Sequence, residues 1–397
     1  MGPIMWYLAG TMMSVSLDLV ERSGDLKGEL VQFAQGPRFA GTLRKAIRER
    51  FGSTIVGNEG ELYDFMDSFI LQRRLPDGRR VVEHFAAVRP GLSEAERQML
   101  LSWRDVVEGI FEIGRRNGPA LLVANLIDEL TYQVRSNAGP SVFDSMRRGD
   151  FMVARLVPVG DEWLLSGAQR LFRGSDRKEL LRTAAQVSLK HPELVFRNPE
   201  KLKRGWELQR WERERFIEFF GADLVVLRGS ELAERIDGFW EWRTRQMISG
   251  EMSEQEVKRH NIPRFELPDH LPEAETVALI YDEVEGLTFL AEFGLVEAVF
   301  DDPALLADRD HRRAVLGYLN DDSVSPLPFR RLGQRHPEKA SRVFQRLLKK
   351  PTFSWDRDGE SLMRRRKAWF FDKPVLPSVT PVSQAVLELH RAGMHSG

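Results

Sequence analysis

The chain has 397 residues, 42% of them hydrophobic, with 58 Lys and Arg against 59 Asp and Glu and no cysteine. That length exceeds what a single hydrophobic core fills, so several domains are expected, and the apolar content is sufficient to offset chain entropy. The lack of cysteine excludes disulfides, thiolate nucleophiles and cysteine-held zinc or iron–sulfur centres.

Residues 1–16 are apolar but carry neither a positive n-region nor a small-residue cleavage site, so they read as a disordered lead, with Met12 or Met13 as an alternative start. No window approaches the roughly 18 uninterrupted apolar residues of a membrane span, so no membrane partner is expected and the cytoplasm is the expected location. The region 17–105 is helical by periodicity. Thr42 to Arg50 forms a short basic helix ended by Gly52, and Leu62, Phe65, Met66, Phe69 and Ile70 fall on one helical face. Leu75-Pro-Asp-Gly78 is a turn, and Ser93-Glu-Ala-Glu96 is a capping box that opens a helix burying Met99, Leu100 and Trp103.

The period changes over 106–172. Gly109–Ile113, Ala120–Ala124, Thr131–Val134, Asp150–Val157 and Glu162–Leu165 are five short β-rich runs separated by Gly, Asn and Pro, the pattern of a small β-barrel-like module. Phe65-Met-Asp-Ser-Phe-Ile70, Leu75-Pro-Asp-Gly78, Leu92-Ser-Glu-Ala-Glu-Arg97, Trp103, Ile110-Phe-Glu-Ile113 and Arg148-Gly-Asp-Phe-Met-Val-Ala-Arg-Leu-Val157 together resemble a segment of uncharacterised bacterial proteins, some of which carry a C-terminal SEC-C zinc motif. The resemblance covers about residues 62–172 and implies a bacterial origin but no activity. Without cysteine the SEC-C zinc role does not transfer.

Beyond Gly174 helices return. A helix capped by Asp176 and Glu179 carries Leu180, Ala184 and Val187. An aromatic helix over Trp211–Phe220, a buried strand Asp223–Leu227 and a helix opened by Ser230 make a helix–strand–helix region, 176–262. The region 273–397 opens with a hairpin, Thr276–Tyr281 and Leu287–Glu292, and continues as helices. Among these, Pro337 to Lys350 is amphipathic, and Leu362, Arg366, Trp369 and Phe370 share helical spacing. The fold class is α+β, mainly helical, with the small central β module and a larger C-terminal α/β region.

Walker A, G-x-G-x-x-G, G-x-S-x-G and H-E-x-x-H patterns are all absent. His260 and His270 near Glu266 and Asp269 match no ligand spacing, and Glu256-Val-Lys258 is only half of a nuclease-like pattern. Asp302 and Asp310 read as helix caps and Asp356–Glu360 as a polar turn, so no metal or cofactor is assigned. Charge placement is the strongest signal: residues 266–310 hold 13 acids against Arg309, while residues 330–373 hold 14 Lys or Arg against 5 acids. Arg342, Arg346, Arg364, Arg365, Arg366 and Lys367 are the candidate contacts to nucleic acid or another polyanion, with Trp369 to Phe371 nearby. The expectation is a non-catalytic binding protein. The alternatives are a divalent-metal hydrolase or nuclease using the acidic segment, and a protein adaptor presenting the Trp206–Trp242 aromatics.

Overall fold

A computed structural model of the chain describes residues 3–52, 59–251 and 267–381, together with 383, 387 and 389; the side chains of 3–17, 59 and 247–251 lie outside the description. The fold is mixed α+β and divides into two units, residues 1–199 with 382–397, and residues 200–381. That boundary runs through the region 176–262. The sequence candidates Glu256, Lys258, His260 and Glu266 fall outside the described residues.

Unit 1 begins with five helices: α1 (Pro3–Gln35), α2 (Ala40–Phe51), α3 (Glu59–Leu71), α4 (Val81–Val88) and α5 (Glu94–Ser102). Helix α1 runs through most of the segment expected as a lead. Leu26, Leu30 and Ala34, four residues apart, are fully buried against Phe69, Ile70, Val82, Leu100 and Trp103. The capping box forms as expected: Ser93 Oγ accepts from the Glu96 N–H at 3.2 Å, and Glu96 accepts in return from the Ser93 N–H at 2.7 Å. On α3 Phe65, Met66, Phe69 and Ile70 pack into this core as expected, joined by Leu71, whereas Leu62, expected on the same face, is 41% exposed.

Five strands follow, β1 (Val107–Asn117), β2 (Ala120–Asn125), β3 (Thr131–Arg135), β4 (Phe151–Val159) and β5 (Glu162–Phe172). All five expected runs are strands. Their pairings return on themselves in the order β1-β2-β3-β5-β4, every contact antiparallel except the β3–β5 seam. Phe111, Val123, Val134, Met152 and Leu156 form the interior, while Val157, Val159 and Leu164 join the helical core. Opposite Val153 and Arg155 the β5 register slips, pairing Val153 with Arg170 but Arg155 with Ser166. Gly167 sits in this bulge with φ +70°, in the left-handed region that glycine tolerates. Helices α6 (Arg177–Lys190) and α7 (Pro192–Val195) then bury Leu181, Ala184 and Val195 beside Ile110 and Phe151.

Unit 2 is organised by one strand. Helix α8 (Pro199–Phe220), β6 (Leu224–Arg228), α9 (Gly229–Glu251) and α10 (His270–Glu273) lead to the hairpin β7 (Thr276–Asp282) and β8 (Gly286–Ala291). Strand β7 is central in an antiparallel sheet ordered β6-β7-β8. Its run Val277-Ala-Leu-Ile-Tyr281 is apolar at every position because both faces are covered. Val277, Leu279 and Tyr281 pack with Phe216, Leu232, Ile236 and Phe239 of α8 and α9. Ala278 and Ile280 pack on the other side with α11 (Phe293–Asp301), α12 (Arg309–Asn320), α13 (Leu327–Arg335), α14 (Pro337–Leu348) and α15 (Trp355–Arg366). Strand β6, expected to be buried, is a half-buried edge strand.

Three local expectations are corrected. Asp356–Glu360 lies in the first turns of α15 rather than in a loop, with Asp358 accepting from the Ser354 N–H at 3.0 Å. Asp308, not Asp310, caps α12, accepting from the N–H groups of Asp310 and His311 at 3.0 and 3.1 Å. Helix α15 does not continue to Trp369. It stops at Lys367, and a separate short turn, α16 (Ala368–Phe371), follows.

Gly333 of α13 packs on the flat Trp355 indole, which itself stacks on Phe344 with ring centroids 5.2 Å apart. A Cβ at 333 would fall 2.2 Å from the indole ring. Gly333→Ala is therefore expected to destabilise unit 2 by about 1–3 kcal/mol, read as a lower urea midpoint. Gly317→Ala, where a Cβ meets nothing within 4 Å, should leave the midpoint unchanged or raise it.

Candidate functional site

The acidic and basic runs of unit 2 meet chiefly along α13. Arg330 pairs with Glu360 at 3.0 Å, Arg331 bridges Asp223 and Asp282 at 3.1 Å each, and Arg335 reaches Glu297 at 2.5 Å. His336 Nε2 lies 3.4 Å from Asp301. Burial alone would raise the Asp282 carboxyl, but the N–H groups of Val284 and Glu285 and the Arg331 guanidinium hold it below its usual range. Asp282 and Glu297 of the acidic run, with Asp223 and Glu360 from outside it, therefore neutralise α13, leaving neighbouring helices to carry excess positive charge.

The six sequence candidates separate into three environments. Arg342 on α14 and Arg365 on α15 are exposed, and their side chains make no hydrogen bond, ion pair or ring contact with described residues. Arg346, Arg364 and Arg366 are exposed but engaged. Arg346 donates to the Pro303 carbonyl, Arg364 lies 3.4 Å from Glu360 and 4.5 Å from the Phe371 ring centroid, and Arg366 donates to the Asn320 amide oxygen at 3.4 Å. Lys367 is a correction. It is fully buried, because α15 ends there and the side chain turns inward, its Nζ donating to the Asp321 carbonyl. Burial pushes its ammonium below the usual lysine value against the opposing pull of Asp321 and Asp322. A side chain without exposed surface cannot reach an external phosphate.

Nor are the nearby aromatics open platforms. Trp369, Phe370 and Phe371 are each half-buried. Arg330 and Arg364 both cover Phe371, and Lys373 sits 4.7 Å from the Trp369 centroid.

The structure adds residues that the charge windows passed over. Arg309, Arg312, Arg313, Leu316, Gly317 and Asn320, with the single acid Asp321 at the end, line a shallow groove along α12. They recur at three- and four-residue spacing and so share one helical face, a signal present in the sequence but divided by the charge windows, since Arg309 closes the acidic one and the rest lie in the gap before the basic one. Arg313 pairs with Asp310 at 2.8 Å, whereas the exposed side chains of Arg309 and Arg312 have no partner among the described residues. Asp308 is committed to the α12 cap and to His311 Nδ1 at 2.7 Å, and its carboxyl is held down chiefly by His311. At the far end of the groove the Arg366–Asn320 and Lys367–Asp321 contacts join α15 to α12, so Arg366 borders the stripe, with the exposed Arg365 next to it in sequence.

The other functional classes gain no geometry. Among the described residues no group of three His, Asp or Glu could hold a metal ion, and no helix is long and apolar enough to cross a membrane. Trp206, Trp211, Trp240 and Trp242 are each half-buried rather than projecting from the surface.

Lys367→Met is expected to destabilise unit 2 by about 1–3 kcal/mol, because the Asp321 carbonyl loses its donor, while Arg365→Gln should leave the denaturation midpoint unchanged. Equal effects would mean that Lys367 does not serve as a buried tether. No protein-family model, no curated protein and no solved structure matches the chain.

Proposed function

We propose that unit 2 binds nucleic acid through phosphate contacts from the α12 groove and the adjoining end of α15. One observation carries this reading: among the described residues Arg309, Arg312 and Arg365 are exposed without an acidic partner, and Arg366 is held by a neutral amide. Positive charge placed this way is available to an external polyanion, unlike the charge on α13. From Arg309 to Asn320 the stripe is about 16 Å long at 1.5 Å per residue. That length spans roughly five phosphates of one duplex strand at 3.4 Å each.

Guanidinium groups suit the task because they are permanently charged and pair with phosphate oxygens through two N–H groups. The groove holds no exposed aromatic and no amide-rich edge, so backbone contact without base reading is the expected mode. Arg342, exposed on α14, lies outside this set of contacts. Lys367 and the Trp369–Phe371 rings belong to the support of this surface rather than to its contacts.

Four phosphate contacts imply a slope of about −3.6 in log affinity against log salt for duplex DNA, or about a 150-fold loss between 50 and 200 mM. Filter binding of the full chain to duplex DNA and to single-stranded RNA should show such a dependence. The quadruple substitution Arg309, Arg312, Arg365, Arg366→Gln should lower affinity and bring the slope close to zero. Binding with the wild-type slope in that variant would overturn the assignment.

A further inference from the structure

Unit 1 contains a buried serine whose surroundings differ from those of an ordinary core hydroxyl. Ser166 stands just before the Gly167 bulge of β5 and is only 7% exposed. Its Oγ donates to Asp67 Oδ2 and accepts from Lys27 Nζ at 2.9 Å. Lys27 also pairs with Asp67 Oδ1 at 2.6 Å, and Arg155 Nη1 lies 3.5 Å from Asp67 Oδ2. Three elements supply this cluster: Lys27 comes from α1, Asp67 from α3, and Ser166 from β5. The bulge aims the serine. Asp64, one helical turn before Asp67, accepts from the Ala168 N–H at 3.0 Å, and a Cβ at 167 would lie 2.9 Å from the same Asp64 oxygen.

Ser166 and Lys27 also line a cavity of ≈ 230 Å³. Trp103, Val157 and Leu165 give it an apolar wall, and Asn137 and Gln169 give it polar groups. Burial pushes the Lys27 ammonium below its usual value despite the opposing pull of Asp67.

We infer that Ser166 is the nucleophile of an acyl-transfer site for small neutral esters, with Asp67 as proton acceptor and Lys27 as the cation beside the reacting oxygen. The Ser166 Oγ would attack the ester carbonyl carbon, forming the new C–O bond while its proton passes to Asp67 Oδ2. The carbonyl π electron pair moves onto its own oxygen, and the tetrahedral oxyanion so formed lies beside the Lys27 ammonium, in surroundings where water screens it little. Collapse breaks the ester's own C–O bond, and the leaving alkoxide takes the proton from Asp67. Water then hydrolyses the acyl–Ser166 ester, with Asp67 again accepting a proton and returning it to Ser166, so the sum is ester plus water to acid plus alcohol. Arg155 is a positioning residue: it holds the Asp67 carboxylate while its own Nε donates to Glu108 at 2.8 Å.

The cavity sets the substrate class. Its volume lies below the roughly 300–1,000 Å³ of pockets that hold drug-sized ligands, so it fits a short acyl chain. Lys27 is already paired, which leaves no free cation for a carboxylate substrate and favours a neutral one. This inference is independent of the nucleic-acid reading, which concerns unit 2 alone.

The test uses the full-length chain, p-nitrophenyl acetate and an alkyl fluorophosphonate, which forms a P–O bond to an activated serine with loss of fluoride. The expected result is a stoichiometric burst of p-nitrophenolate and a phosphonate adduct mapped to Ser166 by tandem mass spectrometry, absent from the urea-unfolded chain. Ser166→Ala should abolish both. Asp67→Asn and Lys27→Met should each slow labelling by about 100-fold. An unmodified Ser166 in the folded wild-type chain overturns the proposal even if the variants misfold. Labelling that persists at the wild-type rate in folded Asp67→Asn and Lys27→Met also overturns it.

Discussion

Strand β7 is the constraint on which unit 2 is built. Five successive apolar side chains leave no face for water, so each side of the strand needs its own cover. Helices α8 and α9 supply one cover and α11 to α15 the other. Of the sheet's two outer strands, β8 joins β7 by a tight turn through Asp282 and Gly286, whose φ is +75°. With the sheet covered on both faces, the polar ends of its strands remain to be satisfied. Asp223 and Asp282 occupy such ends, and Arg331 reaches both from α13. The ion pairs of unit 2 are thus a consequence of its layer order rather than an independent scaffold.

That order also decides which cations are spent internally. Arg330, Arg331 and Arg335 point from α13 toward acids presented by packed neighbours, whereas Arg309 and Arg312 project from a helix whose other side is buried through Val315, Tyr318 and Leu319. Net charge of the region therefore says little about its surface. A lysine and an arginine adjacent in sequence, Arg366 and Lys367, end in opposite environments because the helix ends between them. One position along the backbone separates a solvated guanidinium from a buried ammonium bound to a backbone carbonyl.

What was legible in the sequence followed from local rules. The capping box at Ser93, the turn at Gly78, the five short strands and the β7–β8 hairpin depend on patterns contained within a few residues. The helix–strand–helix of α8, β6 and α9 was readable for the same reason. The inward turn of Lys367 was not, because helical spacing alone suggests that Leu362, Trp369 and Phe370 share one continuous face. The α12 stripe was missed for a different reason: counting charge in windows divides Arg309 from Arg312 and Arg313, although helical geometry unites them. The Ser166 cluster depends on partners 99 and 139 residues away, and on a register slip that no periodicity records.

Stability alone does not account for that cluster. Taking an ammonium and a carboxylate out of water costs several kcal/mol each, and their attraction repays it only with well-placed additional hydrogen bonds. Apolar side chains of similar volume commonly stabilise such a site as well or better. Here the arrangement adds a second cation, Arg155, a second acid, Glu108, and a glycine held at φ +70° beside the serine. Each addition fixes the direction of the Asp67 carboxylate or the Ser166 hydroxyl more than it increases buried apolar area. Side chains chosen to tie α1, α3 and β5 together would not need to face a cavity, whereas a hydroxyl shared between a carboxylate and an ammonium gains chemical use only where another molecule can enter. The opening beside Ser166 is therefore what separates a reactive arrangement from a structural tether made of the same groups.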